Sequence, residues 1–217
     1  MKRVLLVGMI LLATTALWAQ QDKKAKEILD KVSEKTRSFT TISADFSFAM
    51  KNKEMDIDEK KEGEIIIKGQ KYRVQLPDIG ISVYSDGKTI WNYMKDGNQV
   101  TITSVEDAES DLMDDPSALF TIYERGFDSK FVAEKKADGK TVYQIDLFPD
   151  SDDYDVSKIT LLIDKATYMI HSAKLFGNDG NLYVIDVKKM ITNKDFPDSE
   201  FVFDASKFDD VEIIDFR

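Results

Sequence analysis

The sequence predicts a mainly β protein with helices, in which one antiparallel and strongly curved sheet forms an incomplete β-barrel. Three observations support this fold class. Ten or eleven segments are predicted to be strands, most of them because apolar and polar residues alternate, and Asp-Gly turns lie between several of these segments. An amphipathic helix is predicted near the start of the chain. Asp-Gly between alternating segments is a strong hairpin signal. Because so wide a sheet tends to curl, we expect helices to cover its concave face.

The first nineteen residues have the pattern of a secretory signal peptide. Lys2 and Arg3 precede an apolar run from Val4 to Ala13, which is too short to span a bilayer, and a cleavage point follows near Ala19. An uncleaved N-terminal helix is the alternative interpretation. We therefore expect an exported protein in which residues 1–19 are the leader and residues 20–217 form a single domain.

Charge and cysteine content exclude several classes of protein. The chain carries 30 basic and 40 acidic residues, a formal net charge of −10, which argues against nucleic acid and anionic membrane surfaces as partners. It has no Cys, so an exported fold of this chain is not held by disulfides. Its stability must come from burial alone.

The mature chain is expected to begin with a helix and continue with strands. Ala25, Ile28, Leu29 and Val32 form one apolar helical stripe. From Ile42 to Met50 the period changes to two, as in a half-buried strand. Residues 51–62 are highly charged and are expected to be a connection rather than a strand.

Most of the remaining segments are predicted to be strands. They cover residues 64–68, 71–76, 79–84, 89–94, 99–103, 130–135, 141–148, 157–163, 168–176 and 182–188, followed by short closing segments. One interruption stands out: Asp115-Pro116 resembles a helix start, and the residues that follow are apolar up to Gly126. We expect a second, short helix there.

Residues for catalysis or metal binding are scarce. His171 is the only His and lies in a predicted strand, and the chain has neither a Gly-rich phosphate loop nor a nucleophile elbow. The acidic segments 111–115 and 149–155 could be imagined as Ca²⁺ loops, but solvated loops are favoured because the second lacks the Gly and Glu of an EF-hand. We predict a protein that is not an enzyme and that has no metal or cofactor.

Apolar and aromatic side chains on the predicted strands and helices are the candidates for a ligand site. An ordinary helix-on-sheet core would use the same residues, whereas a curved sheet with few helical side chains to fill it would leave an apolar cavity. The candidates for such a cavity are Phe46, Phe48, Ile65, Ile67, Tyr72, Val74, Ile81, Val83, Trp91, Tyr93, Val100, Ile102, Leu119, Phe120 and Tyr123.

Four stretches of the chain, at residues 42–48, 68–77, 85–103 and 201–217, together resemble the LolA family of periplasmic outer-membrane lipoprotein carriers. The hairpin "SDGKTIWNYMKDGNQVTIT" at 85–103 resembles that family's Asp-Gly-Lys turn and Trp-x-Tyr strand. Upstream, "ISADFSF" at 42–48 and "KGQKYRVQLP" at 68–77 resemble its first strand and its basic-aromatic strand. Downstream, "FVFDASKFDDVEIIDFR" at 201–217 resembles its closing segment.

The resemblance implies a monomeric periplasmic carrier that takes the acyl chains of lipoproteins, or lipid, into its cavity. It would receive cargo from an inner-membrane lipoprotein-releasing transporter and pass it to an outer-membrane acceptor. Tyr72, Val74, Trp91 and Tyr93 would then belong to the cavity wall, and Leu119, Phe120 and Tyr123 to the lid.

One position departs from the family pattern. An Arg that often precedes Pro in the family is replaced here by Gly69, so its role in latching the lid is not transferred. The alternative function is a periplasmic lipid- or peptide-sensing regulatory domain with the same half-barrel.

Overall fold

A computed structural model describes residues 21–107 and 126–217 of the 217-residue chain. The predicted leader and the second predicted helix, with Leu119, Phe120 and Tyr123, lie outside the described residues. Helix α1 spans residues 21–37. Twelve described strands follow: β1 (Ile42–Asn52), β2 (Ile57–Lys68), β3 (Lys71–Leu76), β4 (Ile81–Ser85), β5 (Thr89–Met94), β6 (Gln99–Ser104), β7 (Phe127–Ala137), β8 (Lys140–Pro149), β9 (Val156–Asp164), β10 (Ile170–Gly177), β11 (Leu182–Thr192) and β12 (Glu212–Asp215).

All twelve strands belong to one sheet, in the order β12-β6-β5-β4-β3-β2-β1-β11-β10-β9-β8-β7. The two ends of this order are different strands, so the sheet is open and not closed into a barrel. The predicted mainly β fold is therefore confirmed. The expectation of a purely antiparallel sheet is wrong in one place, because β12 pairs with β6 in parallel.

The charged segment 51–62 is not the connection that its composition suggested. β1 continues to Asn52 and β2 starts at Ile57, so the two strands pair almost to the tip of a long hairpin. The Asn52 side chain accepts hydrogen bonds from the backbone N–H groups of Glu54 and Met55, at 3.0 and 3.1 Å, and so fixes the turn. Strand pairing is made by the backbone and needs no apolar side chain where both faces of a hairpin meet water.

Helix α1 packs its apolar stripe on one face of the sheet, which we call the helix-side face. Lys24 lies over the ring of Phe131 at 3.6 Å, and the Lys31 ammonium donates to the Tyr168 hydroxyl at 3.3 Å. These contacts place the helix toward β7 and the turn before β10. One core cluster unites the helix with the sheet; its buried members include Ala25, Ile28, Leu29, Val32, Ala44, Phe46, Ile65, Tyr72, Val74, Val83, Ile145, Leu147, Ile159, Leu161, Ile163, Ala173 and Leu175.

The opposite face of the sheet is crossed by residues 193–211, which we call the strap. The strap joins β11, beside β1, to β12, beside β6, and therefore passes over strands β1 to β6. Phe201 is fully buried against Ile66 and Phe196. Further along, Phe203 and Phe208 stack near Tyr93, with ring centroids 5.4 and 4.5 Å away.

Candidate functional site

Eight of the fifteen predicted cavity residues lie on the helix-side face. Strand pairing brings them into rows: Val74 stands opposite Ile65 on one side and Val83 on the other, and Tyr72 stands opposite Ile67. Residues that pair across strands share a face. The eight residues are Phe46, Phe48, Ile65, Ile67, Tyr72, Val74, Ile81 and Val83, and all of them belong to the cluster that contains the helix or pack against it.

The aromatic hairpin lies on the other face. Val83 is in the helix-side core and pairs with Asn92, so Trp91 and Tyr93, on either side of Asn92, point the opposite way. A separate cluster contains four of the predicted cavity residues together with Phe203 of the strap: Trp91, Tyr93, Val100 and Ile102. The structure thus divides the predicted set between two faces.

The helix-side face keeps a region of half-buried apolar side chains on strands β1 to β4. Phe48 on β1, Leu76 on β3 and Ile81 on β4 pack against the core cluster but are only partly buried. The ring of Phe48 also stacks on Tyr183 of β11, with centroids 6.0 Å apart. Together with buried Phe46 they form an apolar patch, which we call the acyl patch.

Sequence reasoning missed Leu76 as a member of this patch, and also Ile90 of β5, which packs on the same face. The signal was present, since alternation from Tyr72 through Val74 points to Leu76. Ile90 and Trp91 are adjacent in β5 and therefore point to opposite faces of the sheet. Ile90 could be assigned to the helix-side face only after Trp91 was assigned to the other face.

The acyl patch ends in polar groups toward the tip of the β1–β2 hairpin. Lys61 stands directly opposite Phe48, and Glu59 stands opposite Met50. On the neighbouring strand, the Asn52 amide donates to Asn181 at 2.8 Å, and the Asn181 amide donates to the Tyr183 hydroxyl at 3.2 Å. The apolar surface is therefore bounded at this end by one ammonium group and a hydrogen-bonded network.

A cleft of different character from the acyl patch lies between α1 and the outer sheet strands. It is an open cleft of about 1460 Å³. Phe127 and Phe148 contribute apolar surface, but charged residues of both signs, such as Asp30, Lys26 and Asp128, dominate its lining. An acyl chain would gain little by entering it, because charged groups must stay hydrated.

The sequence offers His171 as a candidate for catalysis and two acidic segments as candidates for metal binding, of which residues 111–115 lie outside the described residues. His171 lies in β10, where its Nε2 is 2.9 Å from a carboxylate oxygen of Asp138. Among residues 21–107 and 126–217, no group of three or more His, Asp or Glu side chains is arranged to hold a metal ion. Within these same ranges, none of the helices has the length and apolarity needed to span a membrane.

Comparisons with known proteins agree with this architecture. The family model described as outer membrane lipoprotein carrier protein LolA matches residues 37–204. The chain belongs to the LolA family. No curated protein sequence matches it significantly.

Among solved structures, an uncharacterized conserved protein from Thermus thermophilus is similar, with a TM-score of 0.60 and 14% sequence identity over 88% of this chain and 99% of that one. A LolA superfamily protein from Nitrosomonas europaea has a TM-score of 0.46 and 13% identity, over 82% of this chain and 97% of that one. Lipoprotein LppX from Mycobacterium tuberculosis has a TM-score of 0.46 and 11% identity, over 79% and 98%.

Proposed function

We propose that the protein is a periplasmic carrier that binds the acyl chains of lipoproteins on its helix-side face and shuttles them from the inner to the outer membrane. The observation that carries the proposal is the acyl patch, in which apolar side chains on the helix-side face stay half-buried beside the core that α1 covers. We take this face to be the concave one. The role is binding and transport rather than catalysis.

Helix and sheet divide the helix-side face between core and ligand. Several contacts of α1 are with aromatic residues on or next to strands β7 to β10: Lys24 lies over Phe131 and Tyr143, and Lys31 donates to Tyr168. The acyl patch lies on the other part of the face, on β1 to β4. An acyl chain laid along Phe48, Leu76 and Ile81, beside the buried ring of Phe46, would bury apolar surface that the helix leaves accessible.

The energetics favour a carrier that hands its cargo over directly. Burying an acyl chain is worth about 0.8 kcal/mol per CH₂. One long chain then gains on the order of 10 kcal/mol before ordering costs. Such a chain would leave into water very slowly, so delivery requires a second apolar site. An inner-membrane transporter as donor and an outer-membrane acceptor would supply such sites.

The family membership supports this proposal, since its description names outer membrane lipoprotein carriers. The acidic character of the chain suits the role as well, because a net charge of −10 keeps the protein from adhering to anionic membranes between pickup and delivery. Leu119, Phe120 and Tyr123 remain the candidates for covering the bound chain.

Native mass spectrometry of the gently purified exported protein, followed by organic extraction, tests the proposal. We expect a mass excess that matches a lipid or an acylated lipoprotein. Ile81→Asp should abolish it, because a carboxylate in the acyl patch would lose its hydration against the chain.

The matched control is Ile191→Asp, which places the same charge on β11. Ile191 pairs with Ser43 on the opposite face and is 41% exposed. It should retain the excess mass. The proposal fails if wild-type protein carries no lipid and also takes up none from an added dipalmitoyl lipopeptide.

A further inference from the structure

The helix-side face of strands β1 to β6 is almost free of charge. Residues 42–104, which contain these six strands, are all described, and the alternation of side chains assigns each residue to a face. On the helix-side face every residue of the six strands is apolar, Gly or an uncharged polar residue, except two. The exceptions are Glu59 and Lys61, both on β2 near the hairpin tip.

Lys61 borders the acyl patch directly. Lys61 of β2 pairs with Phe48 of β1. The next residue of β2 on the helix-side face is Gly63, which pairs with Phe46 of β1. Side chains that pair in this way have Cβ atoms about 5 Å apart. The four-carbon stem of Lys61 can therefore lie on the Phe48 ring while its ammonium group stays at the end of the patch.

The ammonium of Lys61 is only loosely paired. Its ion pair with Glu59 has an N–O distance of 3.9 Å, which is too long for a hydrogen bond. The side chain of Glu59 is 66% exposed, whereas that of Lys61 is 29% exposed. An exposed carboxylate at this distance contributes little. A partly desolvated cation beside apolar rings would gain more from an anion that arrives in the same low-dielectric setting.

We infer that the acyl patch also takes an acyl chain that carries its own anionic group, a carboxylate or a phosphate, which pairs with Lys61. The chain lies along Phe46, Leu76 and Ile81, and the anionic head stands at Phe48, where the patch ends. This assignment rests on the proposed acyl site and adds a class of cargo: anionic amphiphiles, distinct from the uncharged diacylglyceryl group of a lipoprotein.

Charge complementarity selects this occupant over a cationic one. Glu59 would attract a cationic head, but its side chain is 66% exposed, and it stands opposite Met50 rather than opposite the patch residue Phe48. Lys61 therefore contributes the charge that a ligand on the patch would meet first.

Fluorescence titration of the delipidated protein with cis-parinaric acid and with its methyl ester tests the inference. The two probes share one chain and differ only in the carboxylate. We expect the acid to bind about five- to tenfold more tightly than the ester, because the acid alone can pair with Lys61. Lys61→Met should bring the acid to the affinity of the ester and leave the ester unchanged.

Lys60→Met is the matched control. Lys60 is the neighbouring residue of β2, pairs with Ala49 and points to the opposite face, so the same charge is removed at nearly the same place. It should keep the preference for the acid. Lys61→Gln serves as the second variant if Lys61→Met fails to fold, as judged by its thermal unfolding midpoint.

Competition separates the two head chemistries. Dodecanoate and dodecyl phosphate are each used to displace the probe from wild type and Lys61→Met protein, and either one that displaces it in a Lys61-dependent manner supports the inference. Equal binding of acid and ester, or equal losses in Lys61→Met and Lys60→Met, overturns it while leaving the acyl site intact. If neither probe binds but the dipalmitoyl lipopeptide is still taken up, the inference is overturned and the carrier function stands; if none of the three binds, the proposed carrier function itself fails.

Discussion

At the scale of single residues, Gly63 determines how the acyl patch is built. A Cβ atom at Gly63 would lie 2.5 Å from the tip of the Phe46 ring and 2.8 Å from a methyl group of Leu76. The missing side chain therefore lets these two residues close over β2. Phe46 reaches its buried position only because its partner across the strand pair has no side chain.

Gly63→Ala should consequently destabilise the protein. The added methyl group must displace a buried aromatic ring, and such overpacking costs about 1–3 kcal/mol of unfolding free energy. Denaturant unfolding followed by circular dichroism measures this difference. Gly97→Ala is the control, because its Cβ would meet only Gln99 at an ordinary 3.7 Å. Equal stability of the two variants would show that Phe46 yields at no cost.

At the scale of elements, the strap is held by charges at its start and by rings further on. The Lys68 ammonium donates to the Phe196 carbonyl and to Asp198, at 2.8 and 2.9 Å, and Lys71 donates to the other oxygen of Asp198 at 2.7 Å. Arg73 adds an ion pair with Glu200. Hydrogen bonds from Lys71 and Lys68 lower the pKa of Asp198 from 3.8 to about 2.

This lowered pKa predicts that the strap weakens in acid. A carboxyl whose pKa is lower in the folded state stabilises that state above its unfolded pKa, and the contribution is lost as pH falls from about 4 to 2. Trp91 packs against the cluster that contains Phe203 of the strap, is the only Trp after residue 19 and reports the change by fluorescence. Asp198→Asn should reduce this pH-dependent step, and Asp204 of the same strap, whose pKa is lowered by hydrogen bonds from Ser206, supplies the remainder.

Asp195→Asn, at an exposed carboxylate of the same strap, is the control and should keep the step. If wild type and Asp198→Asn show the same acid transition, the two lysines do not hold the strap. High salt should reduce the step as well, because the Asp198 side chain is 64% exposed and its ion pairs are screened.

The strap also explains which parts of the fold and site were predictable. Alternation predicted nearly every strand, because one face of each is apolar. It could not say which face of the Trp91 hairpin meets α1, since the strap offers an equally apolar surface through Phe203 and Phe208. The sequence did not predict the tip of the β1–β2 hairpin or the parallel pairing of β12 with β6, because backbone hydrogen bonds rather than a side-chain pattern form them.

At the scale of the whole molecule, the two faces of one sheet are covered by different elements, and the proposed function gives them separate roles. The helix-side face carries the core and the acyl patch, and the opposite face carries the strap. A change on the strap face should therefore affect stability without affecting ligand binding, whereas a change on the acyl patch should weaken ligand binding in addition to any effect on stability.

Trp91→Ala and Leu76→Ala form the pair that checks this separation. Trp91→Ala should lower the unfolding free energy by about 3 kcal/mol or less, since Trp91 is only partly buried, and leave cis-parinaric acid binding unchanged. Leu76→Ala should weaken binding several-fold at a smaller cost in stability. Loss of binding in Trp91→Ala at a temperature where it is folded would place the ligand on the strap face instead.

The strand order also bears on how the chain folds. Strands β1 to β6 pair in chain sequence, and so do β7 to β11, so each group is a meander of local contacts. Among the described strands, the pairing of β1 with β11 is the seam that joins them, and it aligns Ile42 with Thr192. Closing so long a loop is slow compared with forming a hairpin. Destabilising changes at this seam should slow refolding, whereas changes within either meander should mainly hasten unfolding.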